Sequence, residues 1–174
     1  LLDVSRLEAG RLPVEEKTVQ VAELVQDVEV ETRGLRDMAN LSFTWNVDAQ
    51  LPAVLTDPLK LKIILKNLIG NAVKFTPKGS VTVDAHAREG GVEISIADTG
   101  IGIAPEEKET IFEPFRQLKN GREQKLQGVG LGLYIVRRML ELLGGAISVD
   151  STLGHGSTFR VWLPKDVSHS EVRL

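Results

Sequence analysis

The 174-residue sequence contains no cysteine. Without thiols the chain can form no disulfide framework, no thiolate metal site and no cysteine nucleophile. The absence of cysteine also fits a reducing compartment. We therefore expect a cytoplasmic location.

The sequence also lacks an excess of positive charge and a long apolar run. Its 21 basic and 24 acidic side chains give a net charge of −3, so no broad basic field would attract a phosphate backbone, and we expect no nucleic-acid partner. No apolar stretch approaches the roughly 18 residues of a membrane span. The first residues are typical of the end of a helix and not of a signal peptide. We expect a segment of a longer protein, and the membrane attachment of that protein stays open.

Apolar periodicity predicts a chain that mixes helices and strands. Helical patterns cover residues 1–9, 21–38, 58–75 and 130–143. Strand patterns cover residues 41–47, 81–87, 92–97, 146–151 and 158–163. Because the later strands follow one another through tight turns, we expect an α/β (α+β) two-layer sandwich with a mixed, mostly antiparallel sheet.

Glycine is concentrated between residues 100 and 156, which hold ten of the sixteen glycines. Most of these glycines are explained by turns and helix ends. Gly128, Gly130 and Gly132 differ, because they alternate directly into an amphipathic helix, where bare backbone amides favour an anion such as phosphate. The pattern matches neither a dinucleotide-binding fingerprint nor a P-loop.

Two amides and an ammonium share one stripe of the predicted helix 58–75. Asn67, Asn71 and Lys74 are spaced i, i+4 and i+7. A solvated helix face would explain this row. So would a site for Mg²⁺ and nucleotide phosphates, because amide oxygens suit the cation and lysine neutralises phosphate.

An aspartate lies where the strand 92–97 gives way to a glycine turn, in the segment Asp98-Thr99-Gly100-Ile101-Gly102-Ile103. The carboxylate could simply form an Asx turn. It could equally accept a hydrogen bond from an exocyclic amine such as adenine N6. The residues leave both interpretations open.

Together, five segments resemble the ordered boxes of the ATP-binding domain of sensor histidine kinases. They are residues 67–76, 98–102, 112–115, 128–133 and 154–159, in the order and at the spacing of that family. The resemblance covers about residues 18–165 and implies a Bergerat ATP-binding fold with three main helices. It also implies that residues 1–12 end a second dimerisation helix, that 13–17 form a linker, and that 166–174 form a flexible tail. We expect the apolar residues of the first helix to lack packing partners and to cause some self-association; these are Leu1, Leu2, Val4 and Leu7.

The resemblance assigns ATP and Mg²⁺ as ligands. Asn71 would ligate the metal, and Asn67 and Lys74 would support metal and phosphates, so that these three form the catalytic set. Phe75 would lie against the base, Asp98 would accept adenine N6, and Thr158 would help to close the adenine pocket. The remaining nucleotide-binding residues would be Gly100, Gly102, Ile103, Gly128, Gly130, Leu131, Gly132 and Leu133.

Residues 104–127 would be the lid over the nucleotide, with Phe112 and Phe115 either as its hydrophobic anchors or as ordinary core residues. Its segment 116–125 carries Arg116, Lys119, Arg122 and Lys125 against one glutamate, Glu123, and a triphosphate would favour its closure. A solvated loop is the alternative.

One position bears on the reaction. Where the gyrase and chaperone branches of the superfamily carry a glutamate base, this chain has Asn67, and a neutral amide cannot take a proton from water or serine. We therefore expect a kinase that donates phosphate to histidine, whose neutral imidazole is already nucleophilic.

None of the chain's three histidines, His86, His155 and His169, lies in a context like the family's phosphoacceptor box. The acceptor would belong to the histidine-bearing dimerisation domain of the same, homodimeric protein, and a response-regulator receiver domain would be the next partner. The fragment alone should not autophosphorylate. A non-catalytic nucleotide sensor is the alternative function.

Overall fold

A five-stranded sheet covered on one side by helices forms the two layers of the protein. The structure, a computed structural model, describes residues 4–117 and 130–166. Its helices are α1 Val4–Glu8, α2 Val21–Glu31, α3 Arg33–Ala39, α4 Pro58–Phe75 and α5 Gly132–Leu142, with a 3-10 turn at Pro105–Glu107. Its strands are β1 Lys17–Val19, β2 Ser42–Val47, β3 Val54–Thr56, β4 Ser80–Arg88, β5 Gly91–Asp98, β6 Ala146–Thr152 and β7 Gly156–Pro164.

The main sheet has the strand order β2-β4-β5-β7-β6. β2 and β4 run parallel, whereas the other three pairings are antiparallel. The parallel pair needs a crossover, which β3 and α4 provide. The predicted sandwich with a mixed, mostly antiparallel sheet is confirmed.

The core lies between the inner face of the sheet and helices α2, α4 and α5. Val92, Ile94 and Ile96 of the central strand are almost fully buried. From α4 the buried apolar residues follow helical spacing and are Leu61, Ile64, Leu65, Leu68, Ile69 and Ala72. Burial of these side chains fixes which face of α4 turns toward the sheet and leaves its polar stripe at the edge of the core.

The outer face of the sheet is polar and centres on a buried carboxylate. Glu93 forms ion pairs with Arg88 and Arg160, and Arg160 also pairs with Asp150. His86 Nε2 lies 3.5 Å from Glu93 Oε1. Because a buried charge must be paired, this cluster explains how β5 can be buried on both faces and still carry a glutamate.

The single helix expected over 21–38 is wrong: the segment forms two helices, α2 and α3. The break is at Thr32, whose backbone has φ −94° and ψ 1°. The Thr32 hydroxyl donates to the carbonyl of Val28 at 2.7 Å. Such bonding back to the preceding turn is a recognised cause of helix distortion.

Strands β1 and β3 are absent from the sequence-based expectation. They pair antiparallel as a separate two-stranded sheet, with three residues in each strand. Three residues are too few to produce a readable alternation. Helix α5 also begins two residues later than expected, at Gly132.

The segment before β1 is held against the start of α4 by a buried ion pair. Lys60 Nζ donates to Asp57 Oδ2 at 2.8 Å and to the carbonyl of Pro13 at 2.6 Å. The backbone N–H of Glu15 donates to the same carboxylate at 3.0 Å. The other oxygen, Asp57 Oδ1, caps α4 through the backbone amides of Leu59 and Lys60. We call Pro13, Glu15, Asp57 and Lys60 the linker clamp.

The described part of the first helix packs on α5, which corrects the expectation that Leu7 lacks packing partners, whereas Leu1 and Leu2 lie outside the described residues. Leu7 is only 1% exposed. The hydroxyl of Tyr134 donates to Glu8 Oε1 at 3.3 Å, and Arg138 donates to the Glu8 carbonyl at 3.0 Å. Among the described residues, no helix is long and apolar enough to cross a membrane.

Candidate nucleotide-binding site

Helix α4 carries the polar stripe and begins where the sequence predicts. Asp57 caps it and Pro58 occupies its first turn, as expected for a residue whose φ is already helical. The amide nitrogen of Asn67 donates to the carbonyl of Ile63 at 2.8 Å, which leaves Oδ1 as the free end of the side chain. A Cβ added to Gly132 would lie 3.3 Å from that oxygen. The stripe therefore meets the first residue of α5.

The end of α4 brings a lysine and an aromatic ring together. Lys74 Nζ lies 5.2 Å from the centroid of the Phe75 ring, within the range of a cation–π interaction. Partial burial lowers the pKa of Lys74. The Phe75 carbonyl accepts a hydrogen bond from the Ile101 amide at 3.1 Å, which ties the aspartate turn to this end of α4.

Asp98 ends β5 and forms an Asx turn, one of the two interpretations that the sequence left open, because the Gly100 amide donates to its Oδ1 at 2.9 Å. Burial raises the pKa of the Asp98 carboxyl, and three donors oppose that rise: the backbone amides of Gly100 and Ser157 and the hydroxyl of Thr76. A half-buried carboxylate held by polar donors keeps acceptor capacity for a ligand amine. The turn and ligand roles are therefore compatible.

The glycines of the aspartate turn are required by contacts within the protein. A Cβ at Gly100 would lie 2.1 Å from the Phe75 carbonyl oxygen. Gly102 has φ +69°, and a Cβ there would lie 2.2 Å from the Thr152 carbonyl oxygen. The turn is thus packed between the end of α4 and the β6–β7 hairpin, and both contacts hold Asp98 in place.

We expect Gly102→Ala to destabilise the domain by more than the roughly 1–2 kcal/mol of a left-handed alanine, because the methyl also collides with backbone. Gly154→Ala is the matched control, since Gly154 has φ +83° and no heavy atom lies within 4 Å of the position that its Cβ would occupy. Urea unfolding of both variants measures the difference. Equal losses of stability would show that the collision with Thr152 carries no weight.

The glycine-rich start of α5 lies partly outside the described residues. Gly128 is outside them, whereas Gly130, Leu131, Gly132 and Leu133 are half-buried at the start of the helix. Gly130 has φ +78°, and a Cβ there would lie 2.7 Å from the Arg116 carbonyl oxygen. The described part of the expected lid, residues 104–117, therefore packs with its last residues against Gly130, just before α5.

The two lid phenylalanines have different environments. Phe112 packs edge-to-face on Phe159, with ring centroids 6.4 Å apart, and Arg137 lies over its ring. Phe115 is 69% exposed and has φ +60°. Of the lid cations, Arg116 pairs with Glu113 at 2.7 Å, and Lys119, Arg122 and Lys125 lie outside the described residues.

Strand alternation places Ser157, and not Thr158, on the inner face of β7. Asp98 pairs in register with Ser157, which is buried, as are Phe159 and Val161 on the same face. Thr158 alternates to the other face and lines, with Asp98, a shallow cleft of about 180 Å³ at the end of β6 and β7. The role of Thr158 in closing an adenine pocket stays a prediction, and Ser157 joins it as a residue beside Asp98.

Three hydroxyl residues at the site are missed by the sequence patterns. Ser151 Oγ lies 2.8 Å from Ser157 Oγ and accepts the Ile103 amide at 2.8 Å, so that Ile103 is fixed to the hairpin. Thr76 is buried beside Asp98. In a strand, residues two positions apart share a face, so the apolar Phe159 would have indicated that Ser157 also faces inward. No local pattern marks Thr76 or Ser151.

The two histidines that the structure describes lie away from the polar stripe of α4. His86 is on the outer face of the sheet beside Glu93, His155 is exposed in the β6–β7 turn, and His169 lies outside the described residues. Within residues 4–117 and 130–166, no group of three histidine or acidic residues could hold a metal ion. A cation here would depend on amide oxygens and on the ligand's own phosphates. The free Asn67 Oδ1 and the neighbouring Asn71 fit that chemistry for Mg²⁺.

Comparison with known proteins agrees with this geometry. The family model for "Histidine kinase-, DNA gyrase B-, and HSP90-like ATPase" matches residues 56–167. The histidine protein kinase DivJ of Caulobacter vibrioides is 40% identical over 165 residues, which is 94% of this chain and 28% of DivJ. The sensor histidine kinase GacS of Pseudomonas protegens is 37% identical over 94% of this chain and 18% of its own length.

Solved structures show the same fold. Full-length ShkA in complex with AMPPNP superposes with a TM-score of 0.81 at 37% identity, over 92% of this chain and 33% of ShkA. The catalytic domain of the histidine kinase ThkA superposes with a TM-score of 0.75 at 27% identity, over 87% of this chain and 97% of that domain.

The fold and the site define an ATP-binding α/β sandwich domain. The chain belongs to the ATPase family that histidine kinases share with DNA gyrase B and HSP90, and its relatives within that family are sensor histidine kinases. It spans a third or less of the length of the curated relatives described above.

Proposed function

We propose that this chain is the Mg-ATP-binding catalytic domain of a sensor histidine kinase and donates the ATP γ-phosphate to a histidine of a dimerisation domain. The observation that carries the proposal is the convergence of three elements. Asn71 and Lys74 lie near the end of α4. Asn67, one turn earlier on the same helix, lies beside Gly132 at the start of α5. Asp98 is the last residue of β5. The residues of α4 and the start of α5 would serve the phosphates at one end of the site, and Asp98 would serve the adenine base at the other end.

The residues at the phosphate end favour histidine as the acceptor. Asn67 is neutral and its amide nitrogen is already used by the Ile63 carbonyl, so it cannot act as a general base toward water or a hydroxyl. Lys74 would orient the phosphates, and Asn67 and Asn71 would hold Mg²⁺ through their oxygens. The cation would neutralise charge on the transferring phosphoryl group. Positioning of the γ-phosphate is then the main contribution of this domain.

The partners follow from the same proposal. Residues 1–12 would end the second dimerisation helix, 13–17 would link it to the catalytic domain of residues 18–165, and 166–174 would be a tail. The phosphoaccepting histidine would come from the dimerisation domain of a homodimeric parent protein in the cytoplasm, which could itself be membrane-anchored. A receiver domain of a response regulator would take the phosphate next, in two-component signal transduction.

Phosphoryl transfer from γ-labelled ATP to the parent protein's dimerisation domain, added in trans, tests the function. We expect label on the added domain, none on this chain alone, and little free phosphate. Nucleotide binding without transfer would favour the non-catalytic sensor. Rapid hydrolysis by the isolated chain would favour an ATP-driven clamp like that of the gyrase branch.

We expect Asp98→Asn to weaken ADP binding about 10- to 100-fold, because a hydrogen bond to a charged group contributes about 1.5–3 kcal/mol. Calorimetric titration with Mg-ADP measures the loss. Asp84→Asn is the control, since Asp84 accepts from Asn46 on the outer face of the sheet. Unchanged affinity in Asp98→Asn would remove adenine recognition from this residue.

A further inference from the structure

Thr76 holds a buried hydroxyl that lies near the Asp98 carboxyl without completing a hydrogen bond of ordinary geometry. It follows the last residue of α4 and is 2% exposed. Its hydroxyl is fully buried and makes no hydrogen bond of ordinary geometry with any described residue. A buried hydroxyl without a partner is costly, and native proteins retain few of them. A role in ligand binding would account for its presence.

The position of this hydroxyl relates it to the aspartate turn. A Cβ added to Gly100 would lie 2.7 Å from Thr76 Oγ1, and the Gly100 amide is the group that donates to Asp98 Oδ1. Only a glycine at residue 100 leaves room for the hydroxyl to approach the turn. The hydroxyl also acts on the neighbouring carboxyl, because it helps to lower the pKa of Asp98 against the effect of burial.

We propose that Thr76 is a positioning residue for Asp98. Its hydroxyl completes a hydrogen bond to the Asp98 carboxylate when a base is bound. The carboxylate held in this way makes the site select adenine over guanine. This inference rests on the proposed function and specifies the base of its nucleotide. Adenine presents an amine donor to the carboxylate, whereas guanine presents a carbonyl oxygen at the same position. An ionised carboxylate in a fixed orientation accepts from the first and repels the second.

Among the described residues, three groups lower the pKa of Asp98 as hydrogen-bond donors, and the Thr76 hydroxyl is the one that belongs to a side chain. The Gly100 and Ser157 donors are backbone amides, which the Asx turn and the β5–β7 pairing already hold. Of these three donors, only the Thr76 hydroxyl can rotate. It also comes from the opposite element, the end of α4, so it couples the base end of the site to the helix that carries Asn71.

The test compares Thr76→Val, which keeps the shape and removes the hydroxyl, with Thr76→Ser, which keeps the hydroxyl. We expect Thr76→Val to weaken Mg-ADP binding about tenfold and to reduce the preference for ADP over GDP by a similar factor. Thr76→Ser should restore both. Thr82→Val on β4 is the matched control, because Thr82 lies on the outer strand face.

A pH profile separates positioning from a merely structural role. Binding requires ionised Asp98, so affinity falls as pH drops through its pKa. Without the Thr76 hydroxyl that pKa rises further, and the loss of ADP binding should begin at higher pH in Thr76→Val than in the wild type or in Thr76→Ser. If Thr76→Val does not fold, Thr76→Ala provides the same comparison with a smaller side chain.

The outcomes distinguish this inference from the proposed function. Wild-type chain that binds neither ADP nor ATP would overturn the function and the inference together. If the wild type binds ADP, and the variants without the hydroxyl bind it with the same affinity, base preference and pH midpoint as the wild type, the role of Thr76 alone is overturned.

Discussion

Asn71→Ala is expected to lower phosphoryl transfer to the dimerisation domain by about 10²–10³-fold, because a metal ion contributes several kcal/mol to neutralising transferring phosphate. Asn71 lies one turn beyond Asn67 on the half-buried stripe of α4. Removal of its amide leaves Asp98, the residue proposed to bind adenine, unchanged. We therefore expect ADP to bind still, but with an affinity that no longer depends on Mg²⁺.

Transfer of γ-label at saturating ATP, together with ADP titrations in Mg²⁺ and in EDTA, measures this effect. Asn46→Ala is the control, because Asn46 donates to Asp84 on the outer face of the sheet at 2.8 Å. Retention of a full Mg²⁺ dependence in Asn71→Ala would contradict the assignment of Asn71 as the metal ligand. Loss of transfer in Asn46→Ala as well would indicate a general effect on folding.

The second large effect concerns the linker clamp. Asp57→Asn should destabilise the domain by about 3–5 kcal/mol at neutral pH, since it leaves the Lys60 ammonium buried without its countercharge. The side chain of Asp57 is only 4% exposed, so solvent does not screen the pair. The substitution also weakens the cap of α4 and the anchor of the Glu15 amide.

The pH dependence of unfolding provides an independent signature of the clamp. Burial alone would raise the pKa of Asp57, but Lys60 and the amides of Glu15 and Lys60 lower it overall. A depressed folded-state pKa means that the carboxylate stabilises the fold above its ordinary pKa. That stabilisation is lost as pH falls through the folded-state value. Stability of the wild type should therefore decrease with acid, and Asp57→Asn should flatten that decrease.

Urea unfolding at neutral pH and through the acid range tests both expectations. Asp27→Asn is the matched control, because Asp27 pairs with Lys62 at 3.2 Å but is 61% exposed, and such surface pairs contribute little. Equal stability losses in Asp57→Asn and Asp27→Asn would show that the buried pair is no stronger than a surface one. An unchanged acid dependence would exclude Asp57 as its source.

The clamp also bears on how the proposed domain boundary would work. Pro13 and Glu15 lie in the segment expected to be a linker, and both are hydrogen-bonded to the first turn of α4. The same helix carries Asn67, Asn71 and Lys74 along its second half. A displacement of the preceding segment would therefore pull on the first turn of the helix that carries the proposed catalytic residues.

Local patterns in the sequence were sufficient for the class of fold, whereas the ligands expected at the site came from the resemblance to a family. The N-cap Asp57, the proline after it and the apolar spacing predicted α4, which the structure has as Pro58–Phe75. The alternation in β4 and β5 and the glycines between them predicted an antiparallel pair. These signals are readable because helix periodicity, capping and tight turns depend on residues close together in the chain.

Contacts between distant residues were decided only by the tertiary structure. Lys60 reaches a carbonyl 47 residues away, β1 finds β3 across the chain, and β2 pairs parallel with β4. Ser157 lies opposite Asp98 because the register of β5 and β7 sets which side chains share a face. Thr76 meets Asp98 because α4 ends where the Asp98–Gly100 turn packs. Such juxtapositions depend on packing across the whole core, and a one-residue change of register would reverse the faces of a strand.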